Sequence, residues 1–158
     1  MRFHVTLDPG LGRCTYWAIW PLLAAYMPLT RRSRIILLHD EQVLLVRGWL
    51  SSGKLELPGG GVHFGEDPRS GALRELAEEV SLWLAPSDLV LLAHGRAPGA
   101  FRYTYDLYLV YLSEYPQVRP QPPEVLHAQW LHVDDLLHSQ QVDTATRYLV
   151  QQHRALLH

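Results

Sequence analysis

Past residue 33 the apolar positions fall into short runs separated by turn residues, and their period changes from one run to the next. Residues 34–39 and 42–47 are two apolar runs joined at Asp40-Glu41, a pattern that predicts a β-hairpin. Leu55-Glu56-Leu57 predicts a short strand leading into Pro58-Gly59-Gly60-Gly61. Such a glycine run lets the backbone take positive φ and approach a ligand closely. A helix should start at Asp67, a good N-cap, with Pro68 in the first helical position. Leu73, Leu76, Ala77 and Val80 then follow the i, i+3, i+4, i+7 spacing of a buried stripe. Residues 89–93, 101–112 and 127–133 read as strands, the first two separated by the turn Arg96-Ala97-Pro98-Gly99. Residues 143–157 predict a C-terminal helix. Strands and helices alternating irregularly around one core predict an α/β fold with a mixed sheet.

The N-terminus has a different pattern. Residues 16–29 are almost wholly apolar and are followed by Arg31, Arg32 and Arg34. This stretch is shorter than the roughly 20 residues a membrane-spanning helix needs, and Pro21 and Pro28 interrupt it. Most of its positive charge follows the apolar run, where a signal peptide would place it first. The expectation is an apolar, arginine-containing extension over residues 1–33 and one domain over 34–158. The extension would be a helix or extended arm packed on the domain, or on a second copy in a homodimer; peripheral membrane contact is the alternative.

Composition narrows the function classes. Hydrophobic residues make up 47% and charged residues 19%, which fits a globular chain and argues against disorder. A net charge of -2 supplies no broad positive field, so general nucleic-acid binding is not expected. Cys14 is the single cysteine, which excludes an internal disulfide and a cysteine-based zinc site. A reducing, cytoplasmic setting is the default expectation.

The candidate chemistry lies on the helix after the glycines. Glu75, Glu78 and Glu79 fall within about 100° of each other at 3.6 residues per turn. Like charges three or four apart repel by a few tenths of a kcal/mol, and Arg74 alone cannot balance three carboxylates. A bound hard cation, Mg2+ or Mn2+, would convert that repulsion into coordination and could also bind phosphates. An isolated acidic face exposed to solvent is the competing reading.

The segment from Gly60 to Leu82 resembles the Nudix box, G-x5-E-x7-R-E-U-x-E-E-x-G-U with U a bulky aliphatic. Gly60, Glu66, Arg74, Glu75, Leu76, Glu78, Glu79 and Leu82 fall in register, and Ser81 replaces the second glycine. The resemblance extends over about residues 34–137, including the lead-in Leu57-Pro58-Gly59-Gly60-Gly61-Val62 and a later run from Glu124 to Leu131. It implies an α/β/α sandwich and divalent-metal-dependent hydrolysis of a nucleoside diphosphate linked to another moiety. The substrate would be a nucleoside triphosphate or an ADP-ribose-like compound.

By the same resemblance, Glu75, Glu78 and Glu79 would hold the metal and Arg74 would orient a box carboxylate. Glu66 would support the site, and the backbone at Gly60 and Gly61 would complete coordination or contact phosphate. A box glutamate or Glu124 would serve as general base. Ser81 implies an altered helix end with activity retained.

The substrate is less legible. Pro98 matches a proline of ADP-ribose-cleaving relatives but is also an ordinary turn residue. Arg47, Arg96 and Arg102 are candidates to grip phosphates, or plain surface charges. Phe101, Tyr103 and Tyr105 would either stack a base or form a buried sheet face. The alternative to an enzyme is an inactive Nudix-like module that binds a nucleotide or a protein.

Overall fold

The computed structural model describes residues 8–98 and 102–157. Five strands form one mixed sheet in the order β3-β4-β1-β2-β5. The strands are β1 (Arg31–His39), β2 (Gln42–Gly48), β3 (Val90–Arg96), β4 (Thr104–Tyr111) and β5 (Val125–His132). β1 and β4 run parallel, and the other pairs are antiparallel. The predicted hairpin is present, with Asp40 and Glu41 both at positive φ in its turn.

The unbroken apolar runs of β1 and β2 follow from burial on both faces. On one face Ile35, Leu37, Leu44 and Val46 pack against Ala72, Leu76 and Val80 of α2 (Pro68–Val80). On the other, Ile36, Leu38, Val43 and Leu45 pack against α3 (Val133–His138) and α4 (Thr144–Gln152) through Val133, Leu136, Leu149 and Val150. The result is the expected α/β/α sandwich.

Several boundaries differ from the sequence expectation. The buried stripe of α2 is turned by about one residue: Ala72 is fully buried, whereas Leu73 and Ala77 are only partly so. β3 runs on to Arg96, so that residue closes a strand and does not open a turn. β4 starts only at Thr104. The C-terminal helix stops at Gln152 and is followed by a 3-10 turn at Arg154–Leu156. β1 starts at Arg31, three residues before the expected start of the domain.

The N-terminal apolar stretch forms α1 (Pro9–Tyr26), which continues through Pro21. One lost N–H does not end it. It begins on Asp8, whose carboxylate accepts the Gly10 N–H at 2.8 Å. α1 seats on the loop after β2 at Gly12, which is buried and has no room for a side chain against the Trp49 carbonyl. Trp49 Nε1 donates to the Asp8 carbonyl at 3.2 Å. Among the described residues, no helix is long and apolar enough to cross a membrane.

Candidate active site

The glycine loop is fastened to β1 by its backbone. Ser33 N–H donates to the Gly60 carbonyl, Ile35 N–H to Pro58, and Val62 N–H to Arg31. Arg34, buried in the sheet, donates to the carbonyls of Leu57 (2.9 Å) and Gly59 (2.7 Å) and reaches Glu56 at 3.2 Å. Gly59 has φ 121° and lies so close to the Ser33 carbonyl that a Cβ would collide with it. Gly60 is required for a related reason, because a Cβ there would occupy the place of the Glu75 carboxylate.

α2 then presents the acids. Asp67 caps it by accepting the Ser70 N–H at 3.0 Å. Arg74 sits at the centre of the acidic group. It bonds Glu66 from Nε at 3.0 Å, Glu75 and Glu78 from Nη1 at 2.8 and 2.9 Å, and the Gly61 carbonyl from Nη2 at 2.8 Å. Glu66 also accepts the His63 N–H. The Arg74 hydrogen bonds and that backbone donor hold the Glu66 carboxyl down at about 2. Arg74 therefore ties three of the acids together, where the family resemblance implied pairing with one.

Glu79 is different. One carboxylate oxygen accepts the Gly59 N–H at 2.8 Å, and it makes no ion pair among the described residues. Burial pushes its carboxyl up to about 8, against the lowering effects of that backbone donor and Arg34. A carboxylate held in this way would be stabilised by a cation.

Glu75, Glu79 and Glu124 line a single cavity of about 380 Å³ together with Gly59–Gly61, Arg32, Trp49 and Leu50. Glu78 lies outside it, turned to Arg74 and half exposed. Among the described residues no three His, Cys, Asp or Glu side chains stand in an arrangement that would hold an ion. The donor set instead suits Mg2+, which keeps several waters and takes one or two carboxylates together with substrate phosphates. Glu75 and Glu79, which both line the cavity, are the carboxylates that could fill that role.

Of the phosphate-gripping candidates, none of the three arginines lines this cavity. Arg47 lies on β2 opposite His127 of β5, and Arg96 is exposed at the end of β3. Arg102 is exposed with φ 39°. Tyr103 and Tyr105 belong to the core, and Phe101 lies outside the described residues. Arg32, read from sequence only as part of a basic run, is the arginine that reaches the cavity. Its alternation with Arg31 along β1 was the available signal, because successive strand residues face opposite ways.

A family model for the NUDIX domain matches residues 29–152, which include all five strands and the acidic helix. The chain belongs to the Nudix family. Among curated proteins, the NAD-capped RNA hydrolase NudC of Stutzerimonas stutzeri (strain A1501) is 26% identical over 129 residues, covering 80% of this chain. The chain spans 45% of that relative's length. The crystal structure of a MutT NUDIX hydrolase from Burkholderia pseudomallei superimposes with a TM-score of 0.67. It is 24% identical, over 78% of this chain and 96% of that one. A C. elegans Ap4A hydrolase in a binary complex gives a TM-score of 0.66 at 20% identity, covering 80% and 97% of the two chains. At these identities the structural likeness establishes the Nudix fold. α1 lies outside the matched residues.

Proposed function

We propose that this Nudix protein is a divalent-metal-dependent pyrophosphohydrolase acting on a nucleoside diphosphate linked to another moiety. The observation that supports this most is the cavity in which Glu75, Glu79 and Glu124 meet the Gly59–Gly61 backbone. Glu75 and Glu79 would hold Mg2+ or Mn2+, and such an ion would supply phosphate charge neutralisation and acidification of water. Arg74 keeps Glu75 in position by its 2.8 Å bond and fixes Glu66 beneath the loop. Glu78 stays on Arg74, outside the cavity, and helps to hold that guanidinium in place. Glu124, exposed at the cavity edge, takes the proton from the attacking water.

The test is a panel of nucleoside triphosphates, ADP-ribose, diadenosine tetraphosphate and NAD-capped RNA, assayed with Mg2+ or Mn2+. The panel includes the substrate types named for the similar proteins because the cavity itself does not distinguish them. Glu79→Gln should lower kcat by about 10²-fold or more and remove metal-induced stabilisation. Glu124→Gln should lower kcat by about 10²-fold while leaving that stabilisation in place. If the folded protein turned over no member of the panel, the reading would fail, and a nucleotide- or protein-binding module would be favoured.

A further inference from the structure

A second cavity, of about 610 Å³, lies between α1 and the domain, away from the acids of α2. Trp17 of α1, Tyr103 before β4, and Lys54 and Leu50 of the loop after β2 contribute to its wall. It adjoins the acidic cavity, and Arg32 and Leu50 line both. Its size is that of a small-molecule site. Its lining combines aromatic faces with the cationic Arg32, Arg34 and Lys54, and it also carries Glu56, which Arg34 pairs with, and Asp143.

Arg32 is the informative residue here. Its three arginine neighbours in the site all have carboxylate partners: Arg31 bonds Asp106, Arg34 bonds Glu56, and Arg74 bonds Glu66, Glu75 and Glu78. Arg32 makes no ion pair among the described residues. Its Nε is fully buried without a hydrogen-bond partner, and Nη1 reaches only the Met27 sulfur at 3.7 Å. The guanidinium lies over the Tyr103 ring, 5.6 Å from its centroid. A buried cation left in this state lacks an anion. Its place between the two cavities fixes where that anion would sit.

We infer that the cavity beneath α1 is a subsite for the nucleobase of the substrate, with Arg32 gripping the phosphate that leads from it into the acidic cavity. This rests on the function proposed above and adds a specificity element to it. The wall supplied by α1 comes from residues before the family-matched segment, so this part of the subsite is added to the shared domain, which supplies the rest of the lining. Trp17 is 59% exposed at the rim, outside the core, with its ring edge-to-face on Tyr16 at 5.3 Å and its outer face open to cover a base. Tyr103, already stacked with Arg32, forms part of the inner wall.

The experiment measures calorimetric affinity for the four ribonucleoside diphosphates and for inorganic pyrophosphate, in EDTA so that no turnover occurs. The full chain is compared with Trp17→Ala, Trp17→Phe and Arg32→Gln, each checked for folding by thermal melting. Arg32→Gln should weaken all five ligands by about tenfold or more. Trp17→Ala should weaken the nucleoside diphosphates by about tenfold and pyrophosphate by less than twofold, with Trp17→Phe restoring most of the loss. Equal loss of pyrophosphate and nucleotide in Trp17→Ala, or none in either, would overturn the subsite even if hydrolysis is observed. Conversely, the expected affinity pattern in a protein that hydrolyses no diphosphate would keep the subsite and remove the enzyme.

Discussion

Ser81 shows how one substitution in a motif can be absorbed locally. It ends α2 in the left-handed region, φ 55° and ψ 38°, where the family pattern has glycine. Its N–H still bonds the Ala77 carbonyl at 3.1 Å, so the helix end closes. A Cβ in this conformation costs about 1–2 kcal/mol. The serine hydroxyl offsets part of that by accepting the Gln121 amide at 2.7 Å, a bond worth about 0.5–1.5 kcal/mol. Gln121 N–H also bonds the Glu79 carbonyl, so the serine helps to hold the segment before Glu124 against the acidic helix. Ser81→Gly therefore exchanges strain for a lost bond and should leave stability within about 1 kcal/mol of the parent. Ser81→Ala keeps the strain and loses the bond, and should be destabilised by about 1 kcal/mol. Urea unfolding of the two variants checks both. A glycine variant much less stable than the alanine variant would contradict the account.

At the scale of elements, Asp106 links three strands. It lies on β4 and bonds Arg31 of β1 at 2.6 and 2.9 Å and His94 of β3 at 2.9 Å. Burial opposes its ionisation, but the bonds from Arg31 and His94 outweigh that and hold its carboxyl below the ordinary value. A depressed folded value means that the stabilisation is present above the unfolded pKa, near 4, and is lost as pH falls through the folded value. Asp106→Asn should cost about 1–3 kcal/mol at pH 7, and less at pH 3. Denaturant titrations at the two pH values test the sign. A loss that grows on acidification would refute it. The seat of α1 gives a second test. Gly12→Ala would gain about 1 kcal/mol of helix propensity but collide with the Trp49 carbonyl, an overpacking cost of about 1–3 kcal/mol. The expected result is a net loss, with altered Trp49 fluorescence as α1 shifts. The hairpin and α2 were legible in the sequence because their signals are local: turn residues, an N-cap and a helical period. The passage of α1 through Pro21, the extension of β3 to Arg96 and the short α3 were not. Those features depend on what the segment packs against, which a linear pattern does not record.

For the whole molecule, the question is how the acidic site bears on the stability of the fold. The spacing of the box made the acids legible as a group. It did not show that Glu78 would turn to Arg74 while Glu79 faced the cavity, because that division depends on where Gly59 and Arg74 stand in three dimensions. In the metal-free protein the Glu79 carboxyl is buried with one backbone donor and no ion-paired partner among the described residues, so its ionised form works against folding. A cation bound there would reverse that, and stabilisation by a ligand at 100 times its Kd is about 2.7 kcal/mol. For a domain of this size that corresponds to a rise in Tm of about 5–10 °C. Glu79→Gln keeps an oxygen for the Gly59 N–H and carries no charge to bury. It should therefore melt at or above the temperature of the metal-free parent and show almost no further rise with saturating Mg2+. Differential scanning fluorimetry of both proteins, with EDTA and with Mg2+, separates the possibilities. A metal-free variant clearly less stable than the parent would mean that Glu79 supports the fold as an anion. An undiminished rise with Mg2+ would mean that the ion binds elsewhere.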